Sequence, residues 1–116
     1  MVKLNPELLQ WAIENLMKNA MDALQMAQKS NILTITVRSY VRNSGLFIEI
    51  EDTGIGMDAA TKKNIFRPGY STKKRGWGLG LNLAKRIIDE YHSGELTIAS
   101  SEVGVGTTMQ IRLNTT

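Results

Sequence analysis

The chain has 116 residues and no cysteine, which allows a single domain and excludes a disulfide framework, a thiolate metal site and a cysteine nucleophile. Hydrophobic residues make up 42% and charged residues 22%, proportions that exclude a disordered tail. The net charge is only +3, no apolar run approaches the roughly 20 residues of a membrane helix, and no signal-peptide pattern opens the chain, so a soluble, cytoplasmic domain is expected.

In chain order, Asn5-Pro6-Glu7 predicts a helix start, with a capping amide, proline at the first helical position and an acid in the first turn. Leu9, Ile13, Leu16, Met17, Ala20, Leu24 and Ala27 then recur at helical spacing to about Lys29. Ile32 to Arg38 is rich in β-branched residues and predicts a strand. Asn43-Ser44-Gly45 predicts a turn, and Leu46 to Glu51 alternates as a paired strand does. A glycine-punctuated stretch, Asp52 to Met57, precedes a short helix from about Asp58 to Ile65. Arg67 to Gly76 lacks periodicity and predicts a mobile loop; a helix follows from about Leu79 to Tyr91, with Leu79, Leu83, Ile87 and Tyr91 near one face. Gly94 ends it, and Leu96 to Ser100 and Thr107 to Leu113 predict two strands around a turn bracketed by Gly104 and Gly106. Paired strands separated by helices predict an α+β two-layer sandwich with the helices on one sheet face.

Charge is segregated along this order. Between Ala59 and Ile88 stand Lys62, Lys63, Arg67, Lys73, Lys74, Arg75, Lys85 and Arg86, with no acid among them. Such a field is the footprint of an anionic partner. The lone histidine, His92, sits at a helix end and reads as a complement to the helix dipole.

Three segments carry chemistry. On the first helix Asn15, Asn19 and Asp22 fall in a stripe roughly 60° wide, at the border of the apolar arc, where a helix contributes to a cleft. The amide oxygen of an asparagine suits a hard cation such as Mg²⁺ when phosphates complete its shell. Asp52-Thr53-Gly54-Ile55-Gly56-Met57 leaves a strand end; its glycines admit a flat ligand, and its carboxylate can accept from an exocyclic amine. Gly76-Trp77-Gly78-Leu79-Gly80-Leu81 runs from the basic loop into a helix N-terminus, where backbone N–H groups and the dipole favour phosphate. Neither a Walker loop nor a full dinucleotide fingerprint is present.

Together these segments resemble the ATP-binding catalytic domain of sensor histidine kinases, in the superfamily with DNA gyrase, the heat-shock chaperone ATPases and the mismatch-repair ATPases. Glu14 to Ala23 is similar to its N-box, Asp52 to Met57 to its first glycine box, and Ile65 to Lys73 to its F-box. Gly76 to Leu81 is similar to the second glycine box and Gly104 to Thr108 to the third. Arg67 and Gly69 stand where the F-box usually carries an acid and an aromatic, and Trp77 replaces a small residue of the second glycine box.

The resemblance implies one domain over residues 1–116 with the Bergerat fold, a mixed, mainly antiparallel sheet under helices with a mobile ATP lid. It implies ATP and Mg²⁺ as cofactors, with Asn19 on the metal, Asn15 supporting the phosphates, and Asp22 in the nucleotide site. Asp52 would accept from the adenine amino group with Thr107 nearby through a water, and Gly54, Gly56 and Met57 would shape the pocket. Gly76, Gly78, Leu79, Gly80 and Leu81 would open the lid and cradle phosphates met by Lys73, Lys74 or Arg75. Hydrolysing relatives carry a glutamate base four residues before the metal asparagine; here Asn15 stands there and cannot take a proton, while Glu14 is rotated by about 100°. The implied function is therefore a kinase module that supplies γ-phosphate to a histidine on a separate dimerisation domain, with a response regulator downstream and no nucleic-acid or membrane contact of its own. The alternatives are a serine kinase of the anti-sigma type and an ATP-gated clamp of the gyrase or chaperone class. A nucleic-acid-binding module using the basic window would instead show strongly salt-dependent affinity for DNA.

Overall fold

The first helix, α1 (Pro6–Met26), starts as its sequence dictates: the Asn5 side-chain oxygen accepts from Leu8 N at 3.1 Å, and the Leu9 amide closes the first turn on Asn5 O at 2.9 Å. The computed structural model describes residues 5–26, 34–67, 79–91 and 94–114. After α1 come β1 (Ile35–Arg42), β2 (Gly45–Asp52), α2 (Ala59–Asn64), α3 (Leu79–Arg86), a π-helical turn (Ile87–Tyr91), β3 (Glu95–Glu102) and β4 (Gly106–Asn114).

The strands form one sheet in the order β1-β2-β4-β3. Every neighbouring pair among the described residues is antiparallel, so the parallel component of a mixed sheet is not found there. The sequence pattern ends the first strand at Arg38, but β1 runs on to Arg42. The turn explains this: Asn43 (φ 50°) and Ser44 (φ 64°) are both left-handed, so a two-residue loop keeps pairing intact up to Arg42 and Gly45. β3 and β4 likewise extend beyond their predicted ends to Glu102 and Asn114.

One sheet face carries the core. Ile50, Leu96, Met109, Ile111 and Leu113 pack with Ala12, Leu16 and Ala20 of α1 and with Leu81, Ala84, Ile87 and Ile88 of α3 and the π-helical turn. The small side chains of Ala12, Ala20 and Ala84 let helix and sheet backbones approach closely. Leu83, predicted to share a face with Leu79, Ile87 and Tyr91, is 38% exposed. The helix buries Ile87 of that face together with the adjacent stripe, Leu81–Ala84–Ile88, where the small Ala84 side chain fits against the closely packed core.

The edge of β3 is closed by a charged pair. Lys85 Nζ donates to Leu96 O at 3.0 Å, and Asp89 Oδ1 accepts from Leu96 N at 3.1 Å, while the two side chains meet at 2.8 Å. The π turn sets Asp89 at this height, and Gly94 N closes the helix end on Ile88 O at 3.0 Å. This pair occupies the outward backbone groups of Leu96 near the start of the edge strand. Lys85 also lies 5.1 Å from the Phe66 ring centre, and Asn82 Nδ2 donates to Phe66 O at 3.0 Å, fixing the exit of α2 to α3.

The opposite face of the sheet carries a polar network around Glu49. Gln110 Nε2 donates to its carboxylate at 2.7 Å, Tyr40 OH at 2.9 Å and Arg38 Nε at 3.1 Å, and Arg38 also reaches Glu51 at 2.9 Å. The Gln110 hydrogen bond first, then those of Tyr40 and Arg38, hold the Glu49 carboxyl below its ordinary value of 4.5. A depressed carboxyl contributes stability above its unfolded value and loses it as pH falls through the lower folded one. Glu49→Gln is therefore expected to flatten the loss of urea stability below pH 4.5; an acid limb as steep as that of the parent would contradict the assignment.

Candidate functional site

A cleft of about 260 Å³ opens at one end of the sheet, between α1, α2 and the β3–β4 hairpin. Asn19, Asp22 and Ala23 of α1 form one wall, and Asp58, Thr61 and Ile65 around α2 form another. Asp52, Ile55, Gly56 and Met57 come from the end of β2 and the loop beyond it, and Val103 and Thr107 from the hairpin. The volume is near the lower end of those that hold small ligands, roughly 300–1,000 Å³.

Asp52 is the buried acid of this cleft, only 4% exposed at the last position of β2. Its Oδ1 accepts from Gly54 N at 2.9 Å, which turns the chain sharply out of the strand. The antiparallel register sets Thr107 of β4 directly opposite Asp52, and Thr107 is buried as well. Thr107 Oγ1 lies 2.7 Å from Ser101 Oγ, which accepts from Met57 N at 2.9 Å. Residues separated widely in sequence thus meet at the cleft base.

The loop after β2 is stitched on both sides. Ile55 N donates to Ala23 O of α1 at 3.2 Å, and Gly104 N donates to Ile55 O at 2.9 Å. Gly54 is packed on α1 so closely that a Cβ would stand 2.6 Å from the Ala23 carbonyl carbon. Gly56 has φ 72°, and a Cβ there would come within 2.0 Å of Glu102 O. Only glycine lets the loop pass between helix and hairpin, which leaves Ile55, Gly56 and Met57 lining the cleft.

The predicted stripe on α1 divides. Asn19 and Asp22 line the cleft. Asn15, one turn earlier and outside the lining, donates its amide to Trp11 O at 2.9 Å. Glu14 is exposed and accepts from Gln10 at 2.9 Å. Leu79 and Gly80 open α3, while Leu81 is buried in the core away from the lining. Lys73, Lys74, Arg75, Gly76, Trp77, Gly78 and His92 lie outside the described residues.

Several site residues carried no sequence signal as site residues. Thr61, Ile65 and Val103 line the cleft, and Ser101 and the Ala23 carbonyl hold its loop. Asp58, at the predicted start of the short helix, caps α2, accepting from Thr61 N at 2.8 Å, and it lines the cleft too. The Thr61 backbone N–H first, then its side chain, hold the Asp58 carboxyl below its ordinary range.

Chemically the cleft pairs a buried acceptor, Asp52, with the apolar side chains of Ile55, Met57, Ile65 and Val103. That arrangement suits a flat heterocycle carrying an amino donor. Asn19 and Asp22 offer oxygen donors of the kind a hard divalent cation takes.

A family model described as histidine kinase-, DNA gyrase B- and HSP90-like ATPase matches residues 4–116. The chain is 38% identical over 108 residues to sporulation kinase E of Bacillus subtilis, covering 93% of this chain and 14% of that protein. It is 38% identical over 107 residues to the signal transduction histidine-protein kinase AtoS of Escherichia coli, covering 92% of this chain and 17% of that one. It thus spans less than a quarter of the length of either relative. Its fold matches the catalytic domain of histidine kinase ThkA in a nucleotide-free form, with a TM-score of 0.79 and 24% identity, over 97% of this chain and 70% of that one.

Proposed function

We propose, because the chain belongs to the family of histidine kinase-, DNA gyrase B- and HSP90-like ATPases, that it is the ATP-binding catalytic module of a two-component sensor kinase. In this reading residues 1–116 act as one domain that binds Mg-ATP and supplies the γ-phosphate to a histidine on a separate dimerisation domain, with a response regulator as the next acceptor, in the cytoplasm. The observation that carries it is the pairing of buried Asp52 with Thr107 at the base of the cleft.

Asp52 accepts from the adenine amino group, Thr107 supports it through a water, and Gly56 and Met57 bound the ring. Asn19, with Asp22 beside it, holds Mg²⁺, which when bound neutralises phosphate charge. Asn15 supports the phosphates, and Lys73, Lys74 or Arg75 meets the β- and γ-phosphates that Gly76, Gly78 and Gly80 leave room for. Phosphotransfer rather than hydrolysis is favoured by α1 itself. Asn15 occupies the base position with its amide on the Trp11 carbonyl, and Glu14 is turned to Gln10. No carboxylate at either residue is placed to activate water.

Calorimetric titration with a non-hydrolysable ATP analogue, with and without Mg²⁺, tests the reading. Binding that strengthens with Mg²⁺ is expected, and absence of binding in both conditions would overturn it. Asn19→Ala is expected to weaken Mg-ATP binding by about 10-fold or more, the loss of about one charge-assisted contact. Adenosine affinity should change little in the same variant. Equal losses for both ligands would reduce Asn19 to a shaper of the helix.

A further inference from the structure

We propose that Lys62, Lys63 and Arg67, on and just after α2, accelerate capture of the anionic nucleotide from a distance, without contacting it once bound. This deepens the nucleotide-binding reading and rests on it.

The cleft has a charge problem. Its lining includes Asp22, Asp52 and Asp58, and no lysine or arginine is among the described lining residues. A polyphosphate approaching these acids is repelled unless nearby cations reverse the field at the mouth. The distribution of cations on the surface answers this. Arg38, Lys85, Arg86 and Arg112 are each committed to a carboxylate, at 2.8–3.9 Å. Lys62, Lys63 and Arg67 are exposed and engage no carboxylate among the described residues.

Their position gives that charge a target. α2 has six residues, so it is roughly 9 Å long, and Thr61 within it and Ile65 at its C-cap line the cleft. Charges on such a short element stand within about one or two screening lengths of the cavity at physiological salt, and well within one at about 0.01 M. Lys62 and Lys63 also fall in the last turn, where cations complement the helix dipole. That role would appear in the melting temperature and not in an association rate.

The test is stopped-flow binding of methylanthraniloyl-ATP with Mg²⁺, and of methylanthraniloyl-adenosine, to the 116-residue chain and to its K62Q/K63Q/R67Q variant. At about 0.02 M ionic strength the association rate constant for the ATP probe is expected to fall about 3- to 10-fold in the variant. The difference should nearly vanish at about 0.5 M salt, with dissociation unchanged and adenosine association unaffected. A K63E variant should slow ATP capture further than K63Q. Unchanged ATP association would overturn the proposal and leave the three cations to an acidic protein surface. An equal fall for adenosine, or an effect carried by dissociation, would overturn it also. If neither probe binds the parent chain, the nucleotide reading itself fails, and this proposal fails with it.

Discussion

Asp52→Asn is expected to raise the Kd for ATP by about 100-fold or more while leaving the chain folded. The reason lies in what an amide keeps and what it loses. Its oxygen can still accept from Gly54 N, the 2.9 Å bond that turns the chain out of β2. Its nitrogen is a donor, and it would face the amino group that the second carboxylate oxygen is proposed to accept from. A buried donor left without an acceptor costs about 1–3 kcal/mol, and sites built to bond a polar group can reject a mismatch by about 10⁴. Calorimetry gives the affinity and circular dichroism the fold. An unchanged Kd would remove Asp52 from the pocket. Asp52→Ala is a poorer probe, because it also strips the acceptor from the buried Gly54 N–H and confounds binding with stability.

The parts of the molecule that could be read directly from sequence are those whose cause is local. The cap at Asn5, the left-handed turn at Asn43-Ser44 and the cap at Asp58 each depend on side chains within a few residues. Asn19, Asp22 and Asp52 could be singled out because helical spacing and a strand-end acid are visible in one dimension. What could not be read is decided between elements. That Thr107 faces Asp52 follows from the β2–β4 register, and Ser101 reaches Met57 N only because β3 and β4 form a hairpin over the loop. A serine in a strand has no periodic signature of such a role.

The charge window shows the same limit. Read to Ile88, it counts Lys85 and Arg86 as free cations, yet their partners Asp89 and Glu90 stand just beyond its end, one helical turn on. The structure therefore narrows the described part of the basic segment to Lys62, Lys63 and Arg67. On α3, two neighbouring apolar stripes have equal helical periodicity, and only the packing against Leu96 and α1 selects the one that holds Ala84. The π turn had no local signature either; it is stabilised by the Asp89–Leu96 contact across to β3.

Gly106→Ala is expected to cost about 2–6 kcal/mol of folding stability and to weaken ATP binding in the protein that remains folded. Gly106 begins β4 with φ 145°, and a Cβ there would stand 2.0 Å from the backbone oxygen of Asp52. That oxygen belongs to β2 and cannot swing aside as a side chain would. Two costs add: a backbone conformation that alanine avoids, about 1–3 kcal/mol, and overpacking of a well-packed site, about 1–3 kcal/mol more. Relief requires β2 and β4 to part where Asp52 faces Thr107, so the same displacement that relieves the clash spoils the pocket. Gly104→Ala separates these terms. Gly104 also has positive φ, 83°, but a Cβ there meets nothing within 4 Å, so it should carry only the backbone cost and spare nucleotide affinity. Urea midpoints and ATP titrations of the two variants decide the matter. If Gly104→Ala proves as destabilising as Gly106→Ala, and both bind ATP like the parent, the close approach of β4 to Asp52 is not what holds the site together.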